Sequence, residues 1–418
     1  MLLKDYFPEI KKEYSKFFFS GIAFESSKIK KNYIFFAIKG NNFDGNDFIP
    51  IAIKRGCRII ITEKKNKNKF KEILFVYTKN IRKLLAEVSF RIYKNQPKNL
   101  IAVTGTNGKS SVSDFYYQIL KLNNKKVASI GTLGVKSEGI KFDLSNTTMD
   151  PINLGKILDK LKKRGVHNVI MEASSHGLKQ NRLDGLLFNL GIFTNFSQDH
   201  LDYHKSLSNY LRAKLYLFEN LIKKSGHIIT DHELPEFNDI KKISSKKNLK
   251  LHKINNDNSF KILSHTYQGE IQVIKVEYKK SIKVIKLNLI GKIQLKNILM
   301  AIIAAKKSNL SLDRIFKVLP KIIPVEGRSE KIGRIKNNSK VILDYAHTPE
   351  ALKTCLLNLK EQFENKKISL LFGCGGDRDQ NKRSKMGKIA SNYADKIYLT
   401  DDNPRYEDPK KIRKDIKK

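Results

Sequence analysis

The sequence predicts an α/β protein whose central part is a parallel sheet with helices on both faces. From about Asn99 to Pro324, short apolar runs alternate with segments of helical spacing, and this alternation is typical of parallel sheets. A glycine-rich stretch at 103–111 stands between one apolar run and the following helix. Dense polar segments follow two later apolar runs, at the strand ends where doubly wound sheets hold their ligands.

The composition limits the class of protein. The chain has 418 residues, 40% of them hydrophobic, which suits about two to four domains with apolar cores. No run of about 18 apolar residues occurs, and residues 1–20 lack the apolar core of a signal peptide, so we expect a cytoplasmic protein without a membrane span. The three cysteines, Cys57, Cys355 and Cys374, are too far apart to indicate a metal site or a disulfide framework.

The net charge of +40 could indicate a nucleic-acid-binding protein. However, the lysines are spread along the whole chain, and no dense arginine–aromatic segment suited to base stacking is present. The charge therefore predicts solvated lysine-rich faces and no specific nucleic-acid partner. Non-specific attraction to polyanions, and a preference for an anionic substrate, would follow from the same charge.

Apolar runs and helical spacing predict the following elements. In the N-terminal part we expect strands at 33–38, 58–62 and 73–77, a helix at 48–54, and a boundary at 96–98. In the central part we expect strands at 100–103, 166–171 and 190–194, helices at 110–122, 157–163 and 210–221, and an antiparallel pair at 271–276 and 281–289. The polar residues 241–258 are expected to form a surface excursion. The last part has predicted strands at 340–343, 369–372 and 396–400, with a helix at 349–363.

The strongest local signal is a phosphate-binding loop between a strand and a helix. Glycines let backbone N–H groups surround phosphates, the lysine would neutralise their charge, and the following hydroxyl would bind Mg²⁺. The first glycine of the usual pattern is replaced by Val103, and a turn without a ligand is the alternative reading. By itself, the loop predicts nucleotide binding, which GTPases, motors and kinases share. Its residues are Gly105, Thr106, Asn107, Gly108, Lys109, Ser110 and Ser111.

Acidic and histidine residues follow the next two predicted strands of the central part. Glu172 ends one of them, where it could bind a magnesium ion or simply cap a helix. Two aspartates and two histidines stand at 199–204, without a third histidine or cysteine at zinc-ligand spacing. Because the carboxyl ends of parallel strands meet at one edge of a sheet, we expect Lys109, Glu172 and His200 to converge on a nucleotide and metal site.

Six ordered motifs, spread over essentially the whole chain, resemble those of the Mur ligases. They lie at 104–111, 146–148, 172–178, 199–204, 344–349 and 372–379. The resemblance implies three domains: a UDP-binding domain at 1–97, a central parallel-sheet P-loop ATPase domain at 98–325, and a Rossmann-like amino-acid-binding domain at 326–418. It also implies an ATP-dependent ligase of peptidoglycan synthesis. ATP phosphorylates a carboxylate of UDP-muramyl-dipeptide, and an amine displaces the phosphate.

The resemblance also implies roles for individual residues. Ser110, Glu172 and His200 resemble metal ligands, and Lys214 matches a lysine that the family carbamylates, although by itself it would read as a helix-surface lysine. Positions that resemble the nucleotide side are Asn297, Arg328, Asp344 and His347. Positions that resemble the UDP-muramyl-peptide side are Ser26, the segment 40–45, Asn146, Thr147, Thr148, Ser174, Gln180 and Arg182. The family's usual Asp-Ser-Arg reads Glu25-Ser26-Ser27 here, and its Phe-Asn pair reads Ile293-Gln294.

The amino acid that is added is indicated by Asp402, Asn403, Pro404 and Arg405, which resemble the selector of meso-diaminopimelate. An arginine fork can bind the second carboxylate of that amino acid in a bidentate manner, and Arg378 matches a second such contact. The Asn-Pro pair also favours a turn whatever its role. Family members continue well beyond this segment, so we expect a fragment with an incomplete C-terminal domain.

Three alternatives stay open at this point. The first is a lysine-adding ligase of the same family, and the second is a ligase similar to folylpolyglutamate synthase, which lacks a UDP-binding domain. The third is a phosphate-loop NTPase that binds nucleic acid, as the charge could suggest. We expect a monomer that uses Mg²⁺, ATP, UDP-muramyl-dipeptide and meso-diaminopimelate.

Overall fold

A computed structural model describes residues 1–7, 12–40, 43–64, 72–142, 146–254, 256–257 and 260–418. Apart from short 3₁₀ turns, its strands are β1 (Gly21–Ala23), β2 (Tyr33–Phe36), β3 (Ile59–Thr62), β4 (Leu74–Tyr77), β5 (Asn99–Thr104), β6 (Val127–Gly131), β7 (Gly134–Ser137), β8 (Ile140–Phe142), β9 (Asn168–Glu172), β10 (Phe188–Phe193), β11 (Ile222–Thr230), β12 (Lys250–Lys253), β13 (Asn256–Asp257), β14 (Phe260–Gln268), β15 (Ile271–Tyr278), β16 (Ser281–Leu287), β17 (Glu330–Ile335), β18 (Ser339–Leu343), β19 (Ser369–Phe372) and β20 (Lys396–Leu399).

The α-helices of the same residues are α1 (Ile49–Lys54), α2 (Ile81–Ile92), α3 (Lys109–Leu122), α4 (Pro151–Lys163), α5 (Ser175–Lys179), α6 (Leu201–His204), α7 (Leu207–Asn220), α8 (Phe237–Lys246), α9 (Lys292–Lys307), α10 (Leu312–Val318), α11 (Pro349–Gln362), α12 (Lys382–Tyr393) and α13 (Pro409–Lys417). Within the described residues, no helix is both long and apolar enough to cross a membrane.

The chain folds as two compact units. The first contains Met1–Lys98, Leu144–His167 and His176–Leu187. Its parallel sheet has the order β1-β2-β3-β4. Alternate residues of β2 enter two different apolar cores: Ile34 and Phe36 pack into one and Phe35 into the other. Because side chains of a strand alternate between faces, this sheet is buried on both sides.

The second unit contains Asn99–Asp143, Asn168–Ser175 and Phe188–Lys418. Within the described residues, its main sheet has the strand order β12-β11-β10-β5-β9-β6-β7-β8. The strands from β12 to β6 are parallel, and β7 and β8 add an antiparallel edge. In register, Val103 pairs with Glu172 and Thr104 pairs with Phe193. The residues that follow these strands therefore emerge at one edge of the sheet.

Helix α9 lies at the centre of the second unit. Nearly every residue from Gln294 to Ala305 is buried, and the apolar ones join the core that also contains Val112, Phe115 and Ile119 of α3. An antiparallel sheet of β13, β14, β15 and β16 adds Ile274 and Ile285 to the same core. This packing places the N-terminal part of α9 beside the phosphate-loop helix.

The last part of the second unit has an apolar core of its own. Leu352 and Leu356 of α11 pack with Met386 of α12 and with Ile412 and Ile416 of α13. Strands β19 and β20 pair in parallel, and the loops that follow them lie side by side. Strands β17 and β18 form a separate antiparallel pair.

The α/β class and the central parallel sheet were predicted correctly. The predicted strands and helices are present with shifts of a few residues at their ends, except that α4 begins at Pro151, six positions before the predicted start. The prediction for 241–258 was wrong in its described part, because residues up to Lys246 belong to α8 and Lys250–Lys253 form the edge strand β12. Hydrogen bonding to the neighbouring strand β11 stabilises β12 as a strand, although the residues of β12 are mostly polar.

The edge of the main sheet holds a pair of histidines whose protonation should affect stability. Nδ1 of His227 in β11 lies 3.0 Å from Nε2 of His252 in β12. Burial lowers the pKa of His227 to about 4, and His252, Lys307 and Lys250 act in the same direction. An unfolded histidine has a pKa of about 6.5, so the unfolded chain binds more protons between these values. The free energy of unfolding should therefore fall as the pH drops from about 6.5 to about 4.

Between about pH 7 and about pH 5, the free energy of unfolding of His227→Gln should fall by about 1 kcal/mol less than that of the parent protein. This value allows for solvent screening, because His227 is only half-buried. Urea unfolding at about pH 7 and at about pH 5 measures the difference. His167→Gln, which removes an exposed histidine outside the main sheet, is the control variant. An equal slope in His227→Gln and the parent protein would contradict the assignment.

Candidate active site

The phosphate-loop segment joins β5 to α3 at the carboxyl edge of the main sheet. Gly108 precedes the first helical residue with φ +84°, a left-handed conformation that glycine adopts without strain. A Cβ atom at this position would lie 2.6 Å from Oδ1 of Asn297. Ser110 and Ser111 are buried in the first turn of α3, so the loop and the helix start form one packed structure.

Residues after β10 hold the loop in place. Oγ1 of Thr194 donates to the carbonyl of Asn107 at 2.5 Å, and the Asn107 N–H donates to Oδ1 of Asn195 at 2.9 Å. The Thr106 N–H donates to the carbonyl of Asn195 at 2.9 Å. Thr194 and Asn195 had no predicted role. The rule that polar residues at adjacent strand ends meet at one edge could have identified them.

Two lysines, the half-buried Lys109 and the buried Lys214, donate to one carbonyl oxygen of the loop. Nζ of Lys109 donates to the carbonyls of Gly105 and Thr106, at 3.0 and 2.9 Å, and Nζ of Lys214 in α7 donates to that of Gly105 at 2.7 Å. Burial lowers the pKa of Lys214 well below its ordinary value, and the charge of Lys109 lowers it further, whereas Asp199 opposes the shift. The ammonium form of Lys214 is therefore less favourable than that of an exposed lysine.

Lys109 is half-buried. Desolvation lowers the pKa of its ammonium group, and Arg328 lowers it further, whereas Glu172 and Asp199 oppose the shift without cancelling it. Each of these three side chains is therefore close enough to act on Lys109 electrostatically. Because a partly desolvated cation interacts strongly with nearby charge, Lys109 is suited to bind an anion at this point.

Glu172 is the last residue of β9 and is 3% exposed. Its carboxylate accepts hydrogen bonds from Thr132, whose N–H lies 2.9 Å from Oε1 and whose Oγ1 lies 3.1 Å from Oε2. Thr132 follows β6, which pairs with β9. Sequence reasoning missed Thr132, although it also stands at the carboxyl end of a strand of the same sheet.

Gly131 leaves the space that the Glu172 carboxylate occupies, since a Cβ atom there would lie 2.2 Å from Oε1. We expect Gly131→Ala to displace the carboxylate and lower kcat by on the order of 10²-fold, because small misplacements of reacting groups have such effects. Steady-state phosphate release measures kcat. The control is Gly333→Ala, where an added Cβ meets no atom within 4 Å. Equal kcat values for the two variants would exclude a role for this contact.

Asp199 connects two histidines that are far apart in the sequence. Its Oδ2 lies 3.4 Å from Nε2 of His200 and 3.5 Å from Nε2 of His347. Burial raises the pKa of Asp199, but the hydrogen bond with His347 and the charges of both histidines outweigh it, and the net pKa lies below the ordinary value. His347 also accepts a hydrogen bond at its backbone carbonyl from Nζ of Lys382, at 2.7 Å. The structure thus brings His200 and His347 to one carboxylate that had no predicted role of its own.

The residues predicted for the nucleotide side form a chain of contacts. Nδ2 of Asn297 donates to Oε1 of Gln294, and Nε2 of Gln294 donates to the carbonyl of Arg328. The Arg328 guanidinium lies 4.4 Å above the ring centre of Tyr345. Oδ2 of Asp344 accepts from the N–H of Ser329 at 2.7 Å and from its hydroxyl group. Burial raises the pKa of Asp344, while the Ser329 hydrogen bonds and Arg328 lower it, and burial prevails.

The oxygen donors of this site suit Mg²⁺. Ser110 offers a hydroxyl and Glu172 a carboxylate, and hard oxygen ligands are those that Mg²⁺ prefers. No cluster of three or more His, Cys, Asp or Glu residues forms a metal site in the part of the chain that the structure describes. Mg²⁺ commonly takes only one or two carboxylates from a protein and completes its shell with water and substrate phosphates, so the donors fit a metal bound together with a nucleotide.

The first unit contains a cavity of about 530 Å³. Ser26 and Gln180, both predicted for the UDP-muramyl-peptide side, line it together with Glu25 and Arg82. Aromatic residues form much of its wall: Phe24, Phe35, Phe43 and Phe48. The predicted segment 40–45 contributes Gly40, Phe43 and Gly45, whereas residues 41–42 lie outside the described residues.

The remaining residues predicted for the muramyl-peptide side lie in both units. In the first unit, the Arg182 guanidinium donates to Oε1 of Gln180 at 2.8 Å and to the carbonyl of Thr148 at 2.5 Å. Thr148 is buried, and Asn146 and Thr147 precede it at more exposed positions. Ser174 belongs to the second unit, two residues after Glu172.

The residues predicted to select the amino acid lie in two adjacent loops, 373–379 after β19 and 401–407 after β20. The Gly376 N–H donates to the carbonyl of Asn403 at 2.9 Å, and Nη1 of Arg405 donates to the carbonyl of Gly376 at 2.6 Å. Arg378, Asp402, Asn403 and Arg405 are exposed, and Pro404 is half-buried. The structure therefore brings the two predicted arginine-bearing segments together.

The fold and the site define a class of protein. A parallel α/β sheet carries a loop with a left-handed glycine at a helix start, followed by a half-buried lysine and a buried serine. A carboxylate stands at the end of the adjacent strand. This is the architecture of the phosphate-loop nucleotide-binding enzymes.

Comparison with known proteins specifies the class further. Three family profiles match consecutive parts of the chain: "Mur ligase family, catalytic domain" at residues 19–95, "Mur ligase middle domain" at 103–305, and "Mur ligase, glutamate ligase domain" at 327–418. Relatives named UDP-N-acetylmuramoyl-L-alanyl-D-glutamate--2,6-diaminopimelate ligase are similar in sequence. The one from Rickettsia prowazekii (strain Madrid E) is 39% identical over 95% of this chain and 82% of its own length. The one from Rickettsia bellii (strain RML369-C) is 40% identical over 98% and 85%.

Solved structures agree with this result. One solved structure is of a ligase that has the same name as these relatives. It aligns with 100% of this chain over 85% of its own chain, with a TM-score of 0.76 and 27% identity. Folylpolyglutamate synthase from Mycobacterium tuberculosis, solved with ADP, shares the fold over 80% of this chain at 15% identity and a TM-score of 0.65. The chain belongs to the Mur ligase family, and it is an ATP-dependent ligase that forms amide bonds.

Proposed function

We propose that this chain adds meso-2,6-diaminopimelate to UDP-N-acetylmuramoyl-L-alanyl-D-glutamate with hydrolysis of ATP to ADP and phosphate. The observation that carries the proposal is the group of Lys109, Glu172 and Lys214 at the phosphate loop of a chain that is 39–40% identical to relatives named for this reaction. This site and the similarity to those relatives together support the same substrates for this chain. Such a reaction uses nucleotide-linked substrates of the cytoplasm, where we propose that the protein acts.

The chemistry requires an activated carboxylate, because a carboxylate ion is a poor electrophile. An oxygen of the D-glutamate side-chain carboxylate attacks the γ-phosphorus of ATP, the bond to the β,γ-bridging oxygen breaks, and ADP leaves. The amine of diaminopimelate then attacks the carbonyl carbon of the acyl phosphate. The C–O bond to phosphate breaks, inorganic phosphate leaves with the electron pair, and the amine loses a proton to give the amide.

We assign the phosphoryl-transfer step to the loop and its lysine. The N–H groups at the start of α3 and the ammonium of Lys109 stabilise the charge that develops on the transferred phosphoryl group. Partial burial of Lys109 reduces the screening of its charge by water. Arg328, which influences Lys109 electrostatically, adds a second positive charge on the nucleotide side.

We further propose that Ser110, Glu172 and His200 hold Mg²⁺, which would neutralise phosphate charge when bound. Thr132 keeps the Glu172 carboxylate oriented for this task. The lowered pKa of Lys214 increases the fraction of neutral amine, whose nitrogen adds to the carbon of carbon dioxide and releases a proton to give a carbamate. A carbamate would place a negative charge beside the Lys109 ammonium, where a Lys214 ammonium would be repelled.

The diaminopimelate specificity rests on the two loops that carry Arg378 and Arg405. Both residues are exposed, and a bidentate arginine–carboxylate pair supplies direction as well as energy. Lysine lacks the distal carboxylate and would leave these charges without a partner. The lysine-adding reaction is therefore the less favoured candidate.

A phosphate-release assay tests the proposal. The purified protein is supplied with ATP, Mg²⁺ and UDP-N-acetylmuramoyl-L-alanyl-D-glutamate, and with diaminopimelate, lysine or neither. We expect release that requires the muramyl-dipeptide and is stimulated by diaminopimelate. Stimulation by lysine alone would indicate the lysine-adding reaction. Stimulation by nucleic acid, without any effect of the muramyl-dipeptide, would indicate an NTPase of another class.

A further inference from the structure

An ion pair between a buried arginine and a half-buried glutamate joins the two loops of the proposed amino-acid selector. Arg383 of α12 is 1% exposed, and its Nη2 donates to Oε1 of Glu407 at 2.9 Å. The same Oε1 accepts the backbone N–H of Asp377 at 2.5 Å. Glu407 stands two residues after Arg405, and Asp377 stands immediately before Arg378. One carboxylate oxygen therefore bridges the loop of Arg378 and the loop of Arg405.

Both loops adopt backbone conformations that need external support. Asp377 has φ +48° and Arg405 has φ +49°, in the left-handed region that residues other than glycine rarely adopt. The Tyr406 N–H donates to Oδ2 of Asp377 at 3.1 Å. This hydrogen bond connects the two loops at Asp377 and next to Arg405, the two residues with positive φ. Such strain persists only where surrounding contacts determine the conformation.

Arg383 would be costly to bury alone, and its two carboxylate partners offset that cost. The hydrogen bonds to Glu407 and Asp415 outweigh desolvation and raise the pKa of Arg383. However, Nε of Arg383 is buried and has no hydrogen-bond partner among the described residues. A role in fixing the geometry of the loops explains why a charge is placed there.

We propose that Glu407, held by Arg383, is a positioning residue that sets the separation of Arg378 and Arg405. The pair thereby determines the preference for an amino acid with a distal carboxylate. The inference rests on the proposed function, since it concerns the residues assigned there to diaminopimelate. Glu407 itself is not assigned a contact with the substrate.

The second carboxylate partner of Arg383 offers a matched control. Nη1 of Arg383 lies 3.2 Å from Oδ2 of Asp415, which belongs to α13 and not to either loop. Asp415→Asn and Glu407→Gln each remove one negative charge from the same guanidinium and preserve side-chain shape. Only the second substitution weakens the connection between the loops.

The experiment measures kcat and KM for diaminopimelate, lysine and ATP, together with the thermal unfolding midpoint. For Glu407→Gln we expect the KM for diaminopimelate to rise by on the order of tenfold, with the KM for ATP unchanged and kcat within about twofold, because a displaced binding group weakens a contact made equally before and during the reaction. Discrimination against lysine should fall by the same factor. Glu407→Asp, which keeps the charge, should recover part of the preference, and Asp415→Asn should retain it.

Unchanged discrimination in Glu407→Gln would overturn the inference while leaving the proposed function intact, provided that the parent protein uses diaminopimelate. An equal loss of discrimination in Asp415→Asn, or a parallel loss of ATP affinity, would also overturn it, because either result indicates a general structural role. If the parent protein does not use diaminopimelate, the proposed function fails and the inference fails with it. If Glu407→Gln does not fold, Glu407→Asp alone decides: reduced selectivity for diaminopimelate with an unchanged KM for ATP supports the inference, because the shorter side chain keeps the charge but shifts the loops, whereas full parent selectivity or a parallel loss of ATP affinity overturns it.

Discussion

Replacement of Lys109 by alanine is expected to lower ATP-dependent phosphate release by on the order of 10³-fold, since a preorganised cation acts on the transferring phosphoryl group. No other residue of the loop segment 103–111 carries a charged side chain that could replace this ammonium. Steady-state release with all substrates present measures the effect. The protein should still fold, because burial of the Lys109 charge is itself unfavourable, as its lowered pKa indicates.

Lys121 supplies the control for this prediction. It lies on the same helix, is exposed, and has its Nζ 5.8 Å from the ring centre of Tyr117. Lys121→Ala should keep the activity of the parent protein. Parent-level phosphate release in Lys109→Ala would show that the loop lysine does not act on the phosphates, and the proposed mechanism would have to be abandoned.

Replacement of Arg405 by alanine is expected to raise the KM for diaminopimelate by on the order of 10²-fold, because loss of one partner of a charge-assisted pair has effects of this size. The KM for ATP should not change. Arg405→Lys should give an intermediate result, since an ammonium group cannot reproduce a bidentate fork. The measurement is phosphate release as a function of diaminopimelate concentration, with lysine as the comparison amino acid.

Arg334→Ala is the matched control for Arg405. Arg334 is a surface arginine of β17 that pairs with Glu270 at 3.0 Å. Its replacement by alanine removes one positive charge from the protein, as Arg405→Ala does, but at another place. We expect the control to retain the parent KM values. If Arg405→Ala lowered the use of diaminopimelate and lysine to the same extent, Arg405 would not be the selector.

Part of the site could be predicted from sequence because it depends on local order. The strand, the glycine-rich loop and the helix at 100–122 are consecutive, and each has a signal of its own. The position of Glu172 followed from the rule on parallel strand ends. Its neighbour Thr132 follows the same rule, but the sequence does not show which strands are adjacent in the sheet.

Other parts could not be predicted because their signals are absent from the sequence. Helix α9 was not predicted, since it is buried on nearly all sides and lacks the amphipathic period that marks surface helices. The resemblance alone pointed to Asn297 within it. The edge strand β12 was hidden by its polar composition, and the contact of Asp199 with His347 joins residues 148 positions apart (347 − 199).

By itself, the sequence determined the α/β class, the phosphate-binding loop and the order of the polar strand ends, because these depend on periodicity and on residues that are neighbours in the chain. Only the tertiary structure decided which groups share an electrostatic environment. Lys109 and Lys214 donate to the same carbonyl oxygen, that of Gly105, and Glu407, held by Arg383, connects two loops. Burial and the proximity of distant charges produce these effects, and both arise only when the chain has folded.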